Sequence, residues 1–238
     1  MQRRRARFLV LVPPLVAFGV AQAPQGTDRT AERLAMVRDQ IVAMGVTDTA
    51  TLRAMRTVPR HEFVPADLSS RAYGDHPLPI GYGQTISQPY IVAYMTERLR
   101  PRRGMTVLEV GTGSGYQAAV LAEAGATVYT IEIVKALADQ ASERLKRLGY
   151  AAVNVRHADG HFGWPEAAPF DAVIVTAAAG YIPPALVEQL RPGGRMVIPV
   201  GSIYGVQNLV FVEKAPDGKI RTETLLPVRF VPLVSEVR

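Results

Sequence analysis

The 238-residue chain contains no cysteine. Disulfides, thiolate catalysis and cysteine-based zinc sites are therefore excluded, while the compartment stays undecided. Internal repeats and long low-complexity runs are also missing. Acidic residues are absent from the first 23 positions, where Arg3, Arg4, Arg5 and Arg7 stand. Without those arginines the formal charge falls from +6 to +2. The body thus lacks a basic stripe, and no nucleic-acid partner is expected. No Gly-x-Ser-x-Gly elbow occurs, because Gly113-Ser114-Gly115 has the wrong spacing.

The arginines open a segment that reads as an export leader. Phe8 to Val20 is uncharged and mostly apolar, and Ala21-Gln22-Ala23 resembles a small-residue cleavage site. Residues 1–26 are accordingly expected to be a signal peptide or a disordered leader. Pro13, Pro14 and the short length argue against a stable membrane span. Hydrophobic residues make up 48% of the chain and charged residues 20%, an ordinary globular composition. Residues 27–238 are long enough for one α/β domain with a sizeable core.

The central stretch is Val107-Leu108-Glu109-Val110-Gly111-Thr112-Gly113-Ser114-Gly115-Tyr116. It has the form of a buried strand, a glycine-rich turn and a helix start. Gly111, Gly113 and Gly115 let the backbone approach a ligand, and a helix start offers free N–H groups. Glu132 ends the next strand 21 positions after Gly111, near the spacing of a carboxylate that grips ribose hydroxyls. The order is G-x-G-x-G rather than the dinucleotide G-x-G-x-x-G, and Glu109 would repel a pyrophosphate. A cationic nucleoside such as S-adenosyl-L-methionine suits this pattern better. An NAD-dependent oxidoreductase remains the less favoured alternative.

From Thr106 onward strands and helices alternate. Strands are expected at 106–110, 127–132, 153–157, 171–176 and 195–200, and helices at 115–124, 134–148 and 182–190. The nearly all-apolar strands imply a parallel sheet covered on both faces. Residues 207–214 and 219–233 read as antiparallel strands joined by Pro216-Asp217-Gly218. The fold class is therefore doubly wound, mostly parallel α/β, with a helical N-terminal lead and antiparallel C-terminal strands. Three parts are expected: substrate-side helices and loop at 27–100, the cofactor core at 101–205, and C-terminal strands at 206–238. In the lead, a helix capped by Thr27 or Asp28 carries Leu34, Val37, Ile41 and Met44 on one face. Asp48 caps a second helix, residues 71–86 read as a long ordered loop, and Pro89 opens a helix to about Leu99.

Ligands in such sheets lie beyond the carboxyl ends of the strands. Glu109, Glu132 and Asp159 all fall there, with Asp159-Gly160 suited to meet an adenine amino group or simply to form a turn. Thr176 ends the following strand and faces the same crevice. Ser87, in Gln84-Thr85-Ile86-Ser87-Gln88-Pro89, has the residue type and position of a helix N-cap. Such a cap is compatible with a functional role. His157 and His161 flank Asp159, but no second acidic cluster accompanies them, so no metal is expected. His61 and His76 read as structural.

At this point the chain resembles a known family. Gln84–Tyr90, Leu108–Tyr116, Pro169–Ala179, Leu190–Arg195 and Arg229–Leu233 together look like protein-L-isoaspartate (D-aspartate) O-methyltransferases, in order from about Thr30 to Leu233. Most of these motifs belong to class I methyltransferases generally, and Gln-Thr-Ile-Ser-Gln-Pro is the specific one. The resemblance implies methyl transfer from S-adenosyl-L-methionine to the α-carboxyl of isoaspartyl residues in damaged proteins. It places Glu109 at the cofactor's ammonium, Glu132 at its ribose and Asp159 with Gly160 at its adenine. Gly111, Gly113 and Gly115 then lie along the methionyl part. Gln84 and Thr85 border the cofactor, Thr85, Ser87 and Thr176 the acceptor, and Ser87 is the catalytic residue. A monomer without a stable membrane span is expected. Two departures stand out. The leader suggests the periplasm, whereas the family is usually cytoplasmic, and Val92 occupies a position where some members have histidine. A different class I methyltransferase, or a catalytically silent module of the same fold, is the competing reading.

Overall fold

The computed structural model describes residues 28–202 and 204–235. The leader expected at 1–26 lies outside the described residues. Seven strands form one sheet in the order β5-β4-β3-β6-β7-β8-β9, and two more form a small hairpin, β1-β2.

The lead comprises α1 (Thr30–Met36), a π-helical stretch Val37–Val42, and α2 (Thr49–Thr57). Asp48 Oδ2 accepts from the Thr51 amide at 2.7 Å, the expected cap. The first helix differs from its pattern. Met36, Val37 and Ile41 are buried, while Leu34 and Met44 are 44% and 59% exposed. The wider π turn rotates the later residues, so a face drawn at 3.6 residues per turn misses both ends.

Residues 71–86 are not one loop. They contain β1 (Leu78–Gly81) and β2 (Gln84–Ile86), paired antiparallel. Tyr82 and Gly83 form the turn with φ of 54° and 71°. Two successive positive φ values match the twist of a tight hairpin, although a tyrosine is unusual there. The density of glycine and proline hides so short a strand pair. Helix α3 (Pro89–Leu99) then starts at its proline, as expected.

The core consists of β3 (Thr106–Val110), α4 (Tyr116–Glu123), β4 (Thr127–Glu132), α5 (Lys135–Arg147), β5 (Asn154–His157), β6 (Phe170–Val175), α6 (Pro184–Glu188) and β7 (Leu190–Gly201). The pairs β3–β4, β3–β6, β4–β5 and β6–β7 are parallel. Alternate residues serve two layers. Val107, Ala172, Ile174 and Val197 join the core shared with α3 and α4, while Leu108, Val173, Val175 and Met196 join the one beneath α6. Both faces are thus covered, which is why these strands lack a polar side.

β8 (Gln207–Lys214) and β9 (Ile220–Val228) extend the sheet antiparallel, as expected. The last strand stops sooner than Leu233. Residues 231–233 instead bridge to Ala178, just beyond the end of β6. Ala178 donates to the Val231 carbonyl at 2.8 Å, and Leu233 donates to Ala178 at 2.7 Å. Among the described residues, no helix is long and apolar enough to cross a membrane.

Candidate active site

From β3 the chain passes through α4 to β4 on one side, and later returns to β6 on the other side. The topological switch therefore lies beyond the carboxyl ends of β3, β4 and β6. A cleft opens there. Its floor is Gly111–Ser114 with Glu132 and Ile133. Gln84, Thr85 and Ser87 form one wall, Thr176 and Ala177 another, and Val231–Val234 a third.

Three glycines that line the cleft are fixed there by the packing and hydrogen bonding of the protein itself. Gly111 has φ +99°, and a Cβ there would stand 2.5 Å from Thr176 Oγ1. Gly160 lines the cleft, and a Cβ on it would stand 2.3 Å from Val110 Cγ1. Gly113 supplies an amide that donates to Glu132 Oε2 at 2.8 Å. Gly111→Ala should lower stability by about 1–3 kcal/mol through combined strain and clash. Thermal unfolding reads this as a Tm drop of roughly 2–10 °C for a chain of this size. An unchanged Tm would remove the steric argument.

Glu132 lines the cleft with both carboxylate oxygens engaged. Oε2 holds Gly113, and Oε1 accepts from the Val134 amide at 3.0 Å. This one side chain fastens the glycine loop to the start of α5.

Glu109 sits differently from the expected direct ligand contact. It is fully buried behind the cleft floor and is not among the lining residues. Its Oε2 accepts from Thr130 Oγ1 at 2.5 Å, and Thr130 Oγ1 lies 2.7 Å from Thr112 Oγ1. Thr130 has a single proton, already given to Glu109, so Thr112 is the donor in the second bond. Thr112 reaches the cleft. Burial pushes the Glu109 carboxyl up to about 8, against the lowering effect of Thr130. Glu109 Oε1 has no hydrogen-bond partner among the described residues. A buried acceptor without a donor, in a carboxyl that awaits positive charge, fits a ligand that brings a cation.

Asp159 also stands just behind the lining. Oδ1 accepts from the His161 amide and pairs with His161 Nδ1, both at 2.9 Å, and Oδ2 accepts from Ser235 Oγ. Burial raises its carboxyl, but these bonds outweigh burial and hold it below the ordinary value. His157 Nε2 faces the Ile133 carbonyl at 3.0 Å. Among the described residues, no group of three or more His, Cys, Asp or Glu comes together.

Thr176 Oγ1 lies 2.6 Å from the Gly111 carbonyl and 3.1 Å from that of Val110. Its proton is thus committed to the glycine turn. Ser87 is the reverse case. The structure overturns the N-cap expectation, because Gln88 is the cap residue of α3 and no capping side chain comes from it. Asp75 Oδ1 instead takes the Tyr90 amide at 2.9 Å. The half-buried Ser87 hydroxyl has no hydrogen-bond partner among the described residues and borders the cleft.

Several lining residues were not singled out from the sequence. Thr112 and Gln117 belong to elements whose roles are recognisable only once they are folded. The wall at Val231–Val234 overlaps the Arg229–Leu233 motif of the sequence and follows β9, which ends at Val228.

The comparisons with known proteins point one way. Residues 32–238 match the family described as protein-L-isoaspartate(D-aspartate) O-methyltransferase (PCMT). A protein-L-isoaspartate O-methyltransferase of Opitutus terrae is 58% identical over 232 residues, covering 98% of this chain and 99% of the relative. One from Nitrosospira multiformis is 54% identical, covering 95% of this chain and 97% of the relative. A solved protein-L-isoaspartate O-methyltransferase superposes with a TM-score of 0.77 at 28% identity, covering 87% of this chain and 67% of the other. A structure described as a PCMT from Plasmodium falciparum in complex with S-adenosyl-L-homocysteine gives 0.75 at 26% identity, covering 85% and 98%.

Proposed function

This chain belongs to the protein-L-isoaspartate(D-aspartate) O-methyltransferase family, and from that premise we propose how it repairs damaged proteins. It methylates the free α-carboxyl of L-isoaspartyl residues, and the free side-chain carboxyl of D-aspartyl residues, in polypeptides. S-adenosyl-L-methionine supplies a methyl group activated by its positively charged sulfur. The observation that carries the reading is the unpaired Ser87 hydroxyl across the cleft from the Glu132-bound glycine loop.

The chain's own residues have a limited task. An α-carboxyl titrates at about 3.5 and is already ionised at neutral pH, so no general base is needed. Ser87 donates a hydrogen bond to one oxygen of that carboxylate and leaves the other free to attack. Thr85 lines the same wall and offers a second hydroxyl. Thr176, its proton committed to the glycine turn, shapes the wall beside the acceptor. Glu132 would hold the ribose, and Gly111 and Gly113 would run beside the methionyl part; Gly115, expected there as well, lies outside the cleft lining and packs toward Leu145 and Ala141. Glu109 favours the ammonium through Thr130 and Thr112. Gly160, with Asp159 behind it, borders the adenine. The residue 231–234 wall keeps water from the reacting atoms. Without further help from the protein, the backbone amide nitrogen attacks the ester, methanol leaves and a succinimide forms, which water can reopen to normal aspartate.

We also propose that the protein acts as a monomer. Residues 27–238 make up the methyltransferase domain and 1–26 a leader. Incubation with labelled cofactor should transfer label to an isoaspartyl peptide and not to its aspartyl counterpart. The same turnover should persist in strong chelator. Equal labelling of both peptides would overturn the substrate assignment, and a loss restored by zinc would revive the paired histidines as a metal site.

A further inference from the structure

The geometry points to Asp75 as a positioning residue for Ser87. This rests on the reading of Ser87 as the group that holds the acceptor carboxylate. Ser87 directly precedes the cap residue Gln88, so the unpaired amides of the first turn are the nearest donors its hydroxyl could accept from. For Ser87 the three-residue partner is Tyr90, and that amide is already taken by Asp75 Oδ1 at 2.9 Å. Asp75 Oδ2 also lies 3.3 Å from Gln88 Nε2, so one carboxylate holds the residues on either side of Pro89. A negative group is favourable at this helix end, and it removes the competing use of the serine hydroxyl.

The segment that carries Asp75 is itself anchored. Arg60 is fully buried and donates from Nε to the Ala72 carbonyl at 2.8 Å. Its guanidinium lies 4.9 Å from the centre of the Tyr116 ring, and Tyr116 borders the cleft. At Gly74 a Cβ would stand 2.7 Å from His76 Nε2, so the chain turns tightly just before Asp75. Asp75 is therefore delivered to α3 from a fixed base, and Ser87 is left facing the cleft.

A double-mutant cycle tests this, with kcat and KM for an isoaspartyl peptide, S-adenosyl-L-homocysteine affinity and Tm measured for each protein. Asp75→Ala should lower kcat about 10-fold, with cofactor affinity within about 2-fold, because Ser87 can now turn back to the Tyr90 amide. Asp75→Asn retains an acceptor oxygen and should keep kcat within about 2-fold of the parent. In a Ser87→Ala background, Asp75→Ala should cost no more than about 2-fold further, since its effect runs through the missing hydroxyl. A full additional 10-fold loss in that background would overturn the assignment. So would an Asn variant as impaired as the Ala variant. If Ser87→Ala alone leaves kcat unchanged, the reading of Ser87 fails and takes this inference with it.

Discussion

Replacing Ser87 with alanine is expected to cut kcat on an isoaspartyl peptide about 100-fold, while the affinity for S-adenosyl-L-homocysteine stays within about 2-fold. The size reflects what the hydroxyl does. The attacking carboxylate loses charge as it is methylated, so a hydrogen bond to it is no stronger in the transition state than before. Charge stabilisation is therefore a small contribution, and alignment is the large one. A misplacement of about 1 Å is enough to cost on the order of 100-fold in rate. Neither Gln88, the cap residue, nor Asp75, which occupies the Tyr90 amide, can replace a donor at that wall. Single-turnover measurements at saturating cofactor separate the chemical step from binding. A defect confined to cofactor affinity would contradict the assigned role.

Removing the Glu132 carboxylate acts on the other substrate. In Glu132→Ala, titration calorimetry with S-adenosyl-L-homocysteine should show affinity reduced by about 10- to 150-fold, the equivalent of one charged hydrogen bond of about 1.5–3 kcal/mol. Two losses combine. The ribose hydroxyls lose their acceptor, and the Gly113 and Val134 amides lose the oxygens that hold them at 2.8 and 3.0 Å. The loop is then free to leave the conformation the ligand requires. Glu132→Gln keeps one acceptor oxygen and should fall between the parent and the alanine variant. An affinity equal to the parent's would remove Glu132 from the ribose site.

These residues also mark the limits of reading the sequence. The parallel core was legible because buried strands such as Val107–Val110 and Ala172–Val175 must be apolar on both faces. Glu132 was legible because a fixed spacing links the glycine turn to the end of the next strand. Ser87 could be named, but not its freedom. That depends on Asp75, fifteen residues away from Tyr90 in a stretch whose hairpin is two short strands around a positive-φ tyrosine. No periodicity reports such a contact. Glu109 shows the converse. Its residue type and position suggested direct contact, yet side-chain alternation along β3 turns it behind the floor, where only two threonine hydroxyls connect it to the cleft.

The bridging of residues 231–233 to Ala178 has a consequence for how the protein is made. Gln84 to Ser87, the glycine turn and Glu132 all leave the ribosome well ahead of the segment that completes their enclosure. A growing chain that has already assembled its parallel strands still has one side of the methyl-donor chamber open. Cofactor binding therefore lends its full stabilisation only after residues 231–234 have been made and have closed that side.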